Sequence, residues 1–288
     1  MPEKLLTQRE ICIKFISLFE KIGNGEKELE YKHVYGPVHS RRLGISLGIS
    51  TVPRKVCSFD CVYCEVAKTT LLTTKRAEYV PAEEILVEVE NFLENYSGEP
   101  LKHITFSGFG EPTLNSKIGY MIKEIKKITD VPVVVLSNGS LVLRKDVQND
   151  LLSADIVKLT LNATHEKAFK RINQQEKSIQ PDEVIKGLIE FRKIFKGELW
   201  IEILLVKGIN DNAENYIGIH RALRRIKANK VHINTVVRKP SFGFASPLTY
   251  EELLRAQAII GNGAEIIGKA SKPVITEEKT YSRSFATP

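Results

Sequence analysis

The stretch that decides the fold is "KVCSFDCVYCEVAK" at residues 55–68, which places Cys57, Cys61 and Cys64 within eight residues. The chain has 288 residues and only four cysteines, so three of them are concentrated in one short segment. This concentration indicates a disulfide, a zinc site or an iron–sulfur cluster. Three neighbouring cysteines always leave one thiol without a disulfide partner, which makes a disulfide the weakest of these interpretations.

The spacing favours an iron–sulfur cluster with one open position. Cys61 and Cys64 are three residues apart, on one face of a helical turn, and Cys57 can approach them from the preceding loop. Structural zinc usually takes four ligands in two separated pairs, and the sequence offers no second pair. Three thiolates on a four-iron cluster leave one iron without a protein ligand, where a small molecule can bind and react.

Composition and charge describe an ordinary globular protein, with 42% hydrophobic and 27% charged residues. No apolar run approaches the ~20 residues that span a bilayer, and the N-terminus lacks a signal-peptide core. We therefore expect a cytoplasmic protein with no membrane partner. The net charge of +7 is compatible with an RNA partner. The densest basic group is either a solvated helix face or a nucleic-acid surface, and consists of Arg221, Arg224, Arg225, Lys227 and Lys230.

Strand-like and helix-like segments alternate through most of the chain. Strands are predicted at residues 44–51, 103–108, 131–137, 155–161, 199–206 and 230–237. Helices are predicted at residues 81–96, 115–128, 144–154, 165–173, 181–195, 213–227 and 249–261, the first beginning at Pro81 and the second at an Asn115 cap. Six strands separated by helices imply parallel pairing with right-handed crossovers, in an α/β barrel or an open α/β sheet.

The loops that follow these strands are rich in small and polar residues. They read "GFGEPT", "SNGS", "NATHE", "KGIND" and "RKPSFGF", and the cysteine stretch follows the first strand. Ordinary turn chemistry accounts for one or two such loops. All six together predict a ligand site at the carboxyl ends of the strands, where α/β proteins place their active sites.

The chain divides into three predicted parts. Residues 1–43 comprise an amphipathic N-terminal helix over 6–22, followed by a polar lead-in; Cys12 falls in this helix and is predicted to serve packing. Residues 44–262 form the core domain. Residues 263–288 form a C-terminal segment, in which the polar stretch at 277–288 is predicted to be a disordered tail.

The segment "CSFDCVYC" resembles the CxxxCxxC signature of the radical S-adenosylmethionine (SAM) superfamily, and the resemblance extends over about residues 40–240. It implies an α/β fold, a partial (β/α)6 barrel of parallel strands, here with an N-terminal helical extension. It also implies that Cys57, Cys61 and Cys64 hold a [4Fe–4S] cluster. The amino and carboxylate groups of SAM would then chelate the open iron.

The resemblance also implies residues that contact SAM. Tyr63 occupies the aromatic position before the last cysteine, which in the family packs near the adenine. "GFGEPT" is similar to the family's GGEP motif, in which Gly108 and Gly110 would let the backbone approach a ligand closely. Glu111 in this motif would accept hydrogen bonds from the SAM ammonium group.

Three later loops are similar to further SAM-binding segments of the family. "SNGS" places Asn138 near SAM, and "LTLNAT" offers Thr160 and Asn162 for a ribose or carboxylate contact. "LLVKGIND" offers Asn210 for the ribose, although Lys207 stands where those family members have proline.

"HSRRLGISLG", joined to "VPRKVCSFDCVYCEVAKTT", resembles a radical SAM group placed near the wyosine-forming tRNA-modifying enzymes. Arg41 and Arg42 in this segment could reach an anionic group of SAM or substrate, or form a basic surface turn. The neighbourhood of this group and the basic charge favour tRNA or nucleoside modification.

The implied activity is an oxidoreductase-type reductive cleavage of SAM to a 5′-deoxyadenosyl radical, which abstracts hydrogen from a substrate. A low-potential electron donor such as flavodoxin or ferredoxin is implied. No second cluster motif is present, which disfavours members with auxiliary clusters. The substrate could be an RNA nucleoside, a nucleotide-derived small molecule, or a protein partner as in glycyl-radical activases. A non-catalytic iron–sulfur electron carrier or zinc-stabilised binding module is the alternative from another class.

Overall fold

The computed structural model describes residues 31–53, 55–261 and 263–267. The predicted helix over residues 6–22, including Cys12, and the predicted tail over residues 277–288 lie outside the described residues. The boundaries of the three predicted parts of the chain therefore stay predictions.

Strands and helices alternate as the sequence predicts. The strands are β1 (Val34–Ser40), β2 (Gly44–Ser50), β3 (Val56–Cys57), β4 (Leu71–Leu72), β5 (His103–Ser107), β6 (Val133–Ser137), β7 (Ile156–Thr160), β8 (Glu198–Leu205), β9 (Lys230–Thr235) and β10 (Ala264–Ile266). The helices are α1 (Ala82–Asn95), α2 (Ile118–Ile128), α3 (Lys145–Leu151), α4 (Glu166–Asn173), α5 (Pro181–Ile194), α6 (Ala213–Ile226) and α7 (Tyr250–Ile260). Of these described helices, none combines the length and the apolar character needed to cross a membrane.

The main sheet is mostly parallel and has the strand order β1-β2-β5-β6-β7-β8-β9-β10. All six predicted strands pair in parallel, in the order in which they occur along the chain. Their carboxyl ends, and the loops that follow them, therefore meet at one edge of the sheet. A separate two-stranded parallel sheet, β3 with β4, carries Cys57.

Two strands of the main sheet were not predicted. β1 lies in the segment interpreted as a polar lead-in, and it pairs antiparallel with β2. Only Val34 of its seven residues is buried, so this edge strand carries little hydrophobic signal. β10 has only three residues and pairs with β9 at the opposite edge.

The main sheet is strongly curved. An ion pair joins Arg42, in the turn between β1 and β2, to Glu202 on β8. Four strand-to-strand steps separate β2 from β8, which in a flat sheet would place them about 19 Å apart. The sheet therefore bends around an interior space that side chains from both halves share.

Buried apolar side chains fix this architecture. Val133, Val134 and Val135 of β6 are each 0% exposed, as the unbroken β-branched run predicts. A small second cluster of buried apolar residues packs among the strands, and consists of Leu43, Val134, Ile156 and Trp200.

The second helix begins later than predicted, although the side-chain oxygen of Asn115 still accepts from the backbone N–H of Lys117 at 2.9 Å. α2 begins at Ile118 after Lys117, and Asn115 lies further upstream. The side-chain amide of Asn115 donates to the carbonyl oxygens of Thr51 and Val80, both at 3.0 Å. Asn115 therefore ties neighbouring loops together, a long-range role that local sequence does not reveal.

Candidate active site

A cavity of about 360 Å³ opens among the strands and the loops at their carboxyl ends. It receives side chains from β1, β2, β5, β6, β7, β8 and β9, so the curved sheet forms its wall. Most residues predicted from the sequence line it, namely Cys57, Cys61, Tyr63, Cys64, Gly108, Gly110, Glu111, Asn138 and Thr160.

The cysteine loop is anchored against the end of α4. The backbone N–H of Val62 donates to the carbonyl of Ile172 at 3.0 Å, and that of Asp60 donates to the carbonyl of Asn173 at 2.9 Å. The buried ring of Phe59 meets the ring of α4 residue Phe169 edge to face at 5.6 Å. These contacts fix the loop before any ligand binds.

The cysteine sulfurs lie in a largely buried environment. Burial raises the pKa of the Cys57 thiol to about 12, and burial likewise raises the pKa of Cys61. The Lys55 ammonium lies 3.0 Å from the Cys64 sulfur and 2.7 Å from the Ala67 carbonyl oxygen. Burial opposes the charged form of Lys55, but the neighbouring sulfurs, Cys64 first, outweigh it and raise its pKa.

The three cysteines suit a cluster better than a single ion. Among the described residues, no group of three or more His, Cys, Asp or Glu side chains could hold one metal ion. Cys57, Cys61 and Cys64 nevertheless line one cavity, in which their thiols affect one another's pKa. Soft sulfur donors spread around a common space fit the several irons of an iron–sulfur cluster.

Glu111 joins two of the strand-end loops. Its Oε1 accepts hydrogen bonds from the backbone and hydroxyl of Thr113 at 3.0 and 2.5 Å, and from the Ser137 hydroxyl at 2.8 Å. Its Oε2 accepts from the backbone N–H of Asn138 at 2.7 Å. Burial raises the pKa of this carboxyl, although these hydrogen bonds oppose the shift. The carboxylate thus holds the loop after β5 against the loop after β6.

The glycines of this loop are required by its packing. A Cβ at Gly110 would lie 1.8 Å from the carbonyl oxygen of Val56, the residue before Cys57. Gly108 has φ +104°, which disfavours other residues. The Glu111 N–H donates to the same Val56 oxygen at 3.1 Å. The glycines therefore let this loop pack directly on the cysteine strand.

Asn138 approaches the cysteines from the loop after β6. Its side-chain amide nitrogen lies 2.9 Å from the Ser58 hydroxyl and 3.6 Å from the Cys57 sulfur. Ser58 in turn bonds the hydroxyl of Ser140 at 2.6 Å. This chain of contacts places an amide donor directly beside a cysteine sulfur.

Asn162 and Asn210 are not among the described side chains that line the cavity. Asn162 donates to the Tyr63 hydroxyl at 2.7 Å and accepts from the backbone N–H of Leu204 at 2.8 Å. Asn210 is fully buried, and its amide donates to the carbonyls of Asn162 and Leu204. Both side chains brace the loops behind the cavity wall, and direct contact with a ligand stays a prediction for them.

Several charged residues of the cavity were missed by the sequence analysis. Lys158 on β7 and Glu202 on β8 line it and lie 2.6 Å apart, and Lys55 lies against Cys64. Each of the first two interrupts an apolar strand, as "DIVKLTL" and "LWIEILLV" show. A charge at the centre of a buried strand was the signal that could have revealed them.

Comparison with known proteins identifies the family. The model of the radical SAM superfamily matches residues 51–218. The chain belongs to the radical SAM superfamily. It is 37% identical to "UPF0026 protein MJ1312" of Methanocaldococcus jannaschii, over 82% of this chain and 72% of that protein, and so belongs to the UPF0026 family as well.

Two further relatives show how far the similarity extends. A Brachyspira hyodysenteriae protein named "GTPase Obg" is 41% identical over 81% of this chain, but this chain spans only 34% of that protein. The fold resembles that of TYW1 with a lysine–pyruvate adduct bound. That match has a TM-score of 0.53 and 19% identity, and it covers 75% of this chain and 72% of that one.

Superfamily membership establishes the general chemistry. The protein is a radical SAM enzyme, whose cofactors are a [4Fe–4S] cluster and SAM, and Cys57, Cys61 and Cys64 fit the CxxxCxxC motif. Enzymes of this superfamily require a reductant. The zinc-module and electron-carrier alternatives are therefore set aside.

Proposed function

We propose that Cys57, Cys61 and Cys64 hold the [4Fe–4S] cluster, and that SAM binds beside them against Glu111 and Asn138. The observation that carries this proposal is that all five residues line one cavity of about 360 Å³. That volume falls in the range of small-molecule sites. The wrapping of the curved sheet around this cavity supports a partial (β/α)6 barrel.

When bound and reduced, the cluster supplies the electron that cleaves SAM to methionine and a 5′-deoxyadenosyl radical, which takes a hydrogen atom from the substrate. The chain's own residues hold and orient these groups. Gly108 and Gly110 bring the loop after β5 onto the cysteine strand. Tyr63 is proposed to pack near the adenine, and Thr160 to contact the ribose or carboxylate of SAM.

Asn162 and Asn210 are proposed to support the same SAM site. Asn162 would hold the Tyr63 hydroxyl, and Asn210 would hold the loop after β8. The reductant is proposed to be a low-potential flavodoxin or ferredoxin. The whole enzyme would thus perform oxidoreductase-type chemistry on its substrate.

We further propose that the substrate is a tRNA or another RNA nucleoside. The supporting observation is a basic surface on α6 and the segment after it, where Arg221, Arg224, Arg225 and Lys227 are all exposed. Clustered basic residues on one surface attract the phosphate backbone of RNA.

The cluster assignment is tested by 5′-deoxyadenosine formation. The full chain is reconstituted anaerobically with iron and sulfide, reduced with dithionite and given SAM, and the product is measured by mass spectrometry. We expect product from the wild type and from Cys12→Ala, and neither cluster absorbance nor product from Cys61→Ala. A wild-type protein that keeps its cluster but forms no product and shows no SAM-dependent EPR change would contradict the proposal.

The RNA assignment is tested by fluorescence anisotropy with an unmodified tRNA transcript. The triple variant Arg221→Ala/Arg224→Ala/Arg225→Ala should bind at least tenfold more weakly and show a shallower salt dependence, because fewer counterions are released. Equal binding by this variant and the wild type would overturn the surface assignment. Radical transfer to a co-purifying protein would instead favour an activase.

A further inference from the structure

The cavity contains a second charged region, which we call the cationic wall. Its side chains come from the β1–β2 turn, from β7 and β8, and from the segments after Cys64 and β9. All of them line the cavity, and they are Arg41, Arg42, Glu65, Lys158, Glu202 and Arg238.

The charges within the cationic wall do not balance. Glu202 forms two ion pairs. One carboxylate oxygen pairs with Arg42, and the other pairs with Lys158 at 2.6 Å. Arg238 pairs with Glu65 at 2.6 Å. In the described part of the chain, the exposed Arg41 side chain forms no ion pair or hydrogen bond, although the charges of Glu202 and Glu65 act on it from farther away. Four cations therefore face two carboxylates, which leaves a surplus of two positive charges.

Part of this surplus is buried. The Lys158 side chain is only 7% exposed and the Glu202 side chain 13%, while Arg42 is 19% exposed. Moving a charge out of water is costly unless an opposite charge compensates it. One Arg42–Glu202 pair would suffice to fasten the β1–β2 turn to β8. That structural role explains neither the burial of Lys158 nor the orientation of Arg41 into the cavity wall.

The surroundings strengthen the field of these charges. The apolar cluster of Leu43, Val134, Ile156 and Trp200 packs against Leu136, which itself lines the cavity. Apolar walls exclude water, so a charge in the cavity acts more strongly than it would at an open surface. Asn234 adds a neutral side chain to the same wall, with its amide 3.4 Å from Glu202.

We propose that the cationic wall binds a doubly charged oxyanion of the substrate, a phosphate or a pair of carboxylates, inside the cavity that the cysteines line. The inference rests on the proposed function, and it defines the substrate class of that site. The guanidinium planes of Arg41 and Arg42 suit oxyanions because they offer paired donors, and Lys158 adds a compact charge. The anion holds the substrate at a fixed place relative to the cysteines.

The proposal is tested by titrating the reconstituted full chain with inorganic phosphate and, separately, with succinate in a calorimeter. The double variant Arg41→Ala/Lys158→Met should weaken binding of the preferred anion at least tenfold. The matched control Arg255→Ala/Lys123→Met removes two exposed cations from α7 and α2, and should change binding less than twofold. Tighter binding of phosphate indicates that the substrate carries a phosphate, and tighter binding of succinate indicates that it carries a pair of carboxylates.

SAM-dependent 5′-deoxyadenosine formation is measured on the same samples. The matched control variant should bind and cleave SAM within threefold of the wild type, and the affinity of the double variant for SAM is measured beside it. Anion binding that is absent in the wild type, or unchanged in the double variant, overturns the inference while leaving the proposed function intact. A tenfold loss of SAM affinity would show that the wall serves the SAM carboxylate, and would also overturn it. A wild type that cannot cleave SAM contradicts the proposed function instead.

Discussion

The cysteine region, which comprises Cys57, Cys61, Cys64 and the neighbouring Glu111 and Asn138, lines the same cavity as the cationic wall. The two regions satisfy their polar groups in opposite ways. Near the cysteines, the buried Glu111 carboxylate receives four hydrogen bonds from Thr113, Ser137 and Asn138. In the cationic wall, the single carboxylate of Glu202 faces two cations. The first region is complete as folded, whereas the second retains charge that a ligand can neutralise.

This difference gives the two regions different roles: the cysteine region makes the site rigid, and the cationic wall provides affinity for an anion. A fully hydrogen-bonded carboxylate fixes the loops beside the three cysteines, and so would organise the proposed SAM site in the free protein. A surplus of buried charge instead lowers the stability of the free protein and is relieved by an anion. The two regions should therefore respond differently when one charge is removed from each.

The largest effect is expected from Glu202→Gln. The substitution leaves the Arg42 and Lys158 cations buried together without a carboxylate, and should lower the free energy of unfolding by about 3–5 kcal/mol. Urea unfolding of the reconstituted protein, followed by circular dichroism, measures it. Lys158→Met is the matched control, because it removes one of the two surplus positive charges and should cost about 1 kcal/mol or less. Equal losses for both variants would mean that the charges are balanced.

A smaller effect is expected from Glu111→Gln. The amide group that replaces one carboxylate oxygen turns a donor toward another donor, at Asn138 or at Thr113. The loss of one buried hydrogen bond should lower the free energy of unfolding by about 1–3 kcal/mol. The same urea experiment tests it. A variant of unchanged stability that no longer binds SAM would show that Glu111 acts on the ligand directly and is not a brace.

Anion binding should depend on pH through Lys158. Burial, opposed by Glu202 and reinforced by Arg42, lowers the pKa of Lys158 to about 8. Lysine is charged only when protonated, so its positive charge is present below about pH 8 and lost above it. Against the effect of burial, the two cations lower the pKa of Glu202 to about 2, so it stays ionised, and burial lowers the pKa of the neighbouring His232, which adds no charge in this range.

Sulfate is the suitable probe for this effect, because its own charge is constant over the range. Its affinity should fall about tenfold, or about 1.4 kcal/mol, between pH 7 and pH 9.5. Calorimetric titration at several pH values measures the change. Lys158→Met should bind sulfate more weakly and show a flat profile over the same range. A wild-type profile as flat as that of the variant would exclude Lys158 as the titrating group.

The two regions also differ in how far the sequence reveals them. The cysteine region could be proposed from the sequence because its three cysteines lie within eight residues, and because "GFGEPT" and "SNGS" follow predicted strands. The cationic wall joins Arg42 to Glu202 across 160 positions of sequence. Only the curvature of the sheet brings them together. The alternation of strands and helices does not specify that curvature.

The bracing residues show a related limit. Asn115 was identified as a helix cap and Asn162 and Asn210 as loop residues, but each side chain also bonds a backbone group of a distant segment. A sequence pattern can show that an amide follows a strand. It cannot show whether the amide faces the cavity or the loop behind it, because that depends on a rotation of the side chain.

The smallest effect is expected on the midpoint potential of the cluster, when the lysine at one end of the stretch from residue 55 to residue 68 is replaced. Lys55 is 6% exposed and contacts the Cys64 sulfur, whereas Lys68 is exposed and lies over the ring of Phe242 at 4.8 Å. A nearby cation and a hydrogen bond to sulfur both favour the reduced, more negative state of a cluster. Lys55→Met should therefore lower the midpoint potential of the cluster by tens of millivolts, less than the ~59 mV that corresponds to a tenfold change for one electron.

An EPR-monitored redox titration of the reconstituted protein measures this potential, with Lys68→Met as the matched control. Lys68→Met should leave the potential unchanged within error, because its ammonium group is screened by solvent. If the two variants shift the potential equally, net charge alone is responsible and the contact of Lys55 with Cys64 is irrelevant. If only Lys55→Met shifts it, the buried lysine belongs functionally to the cysteine region. Burial would then shape the charge of both regions of the cavity. The cationic wall keeps an excess of buried positive charge, whereas in the cysteine region the buried Lys55 ammonium is paired with a sulfur.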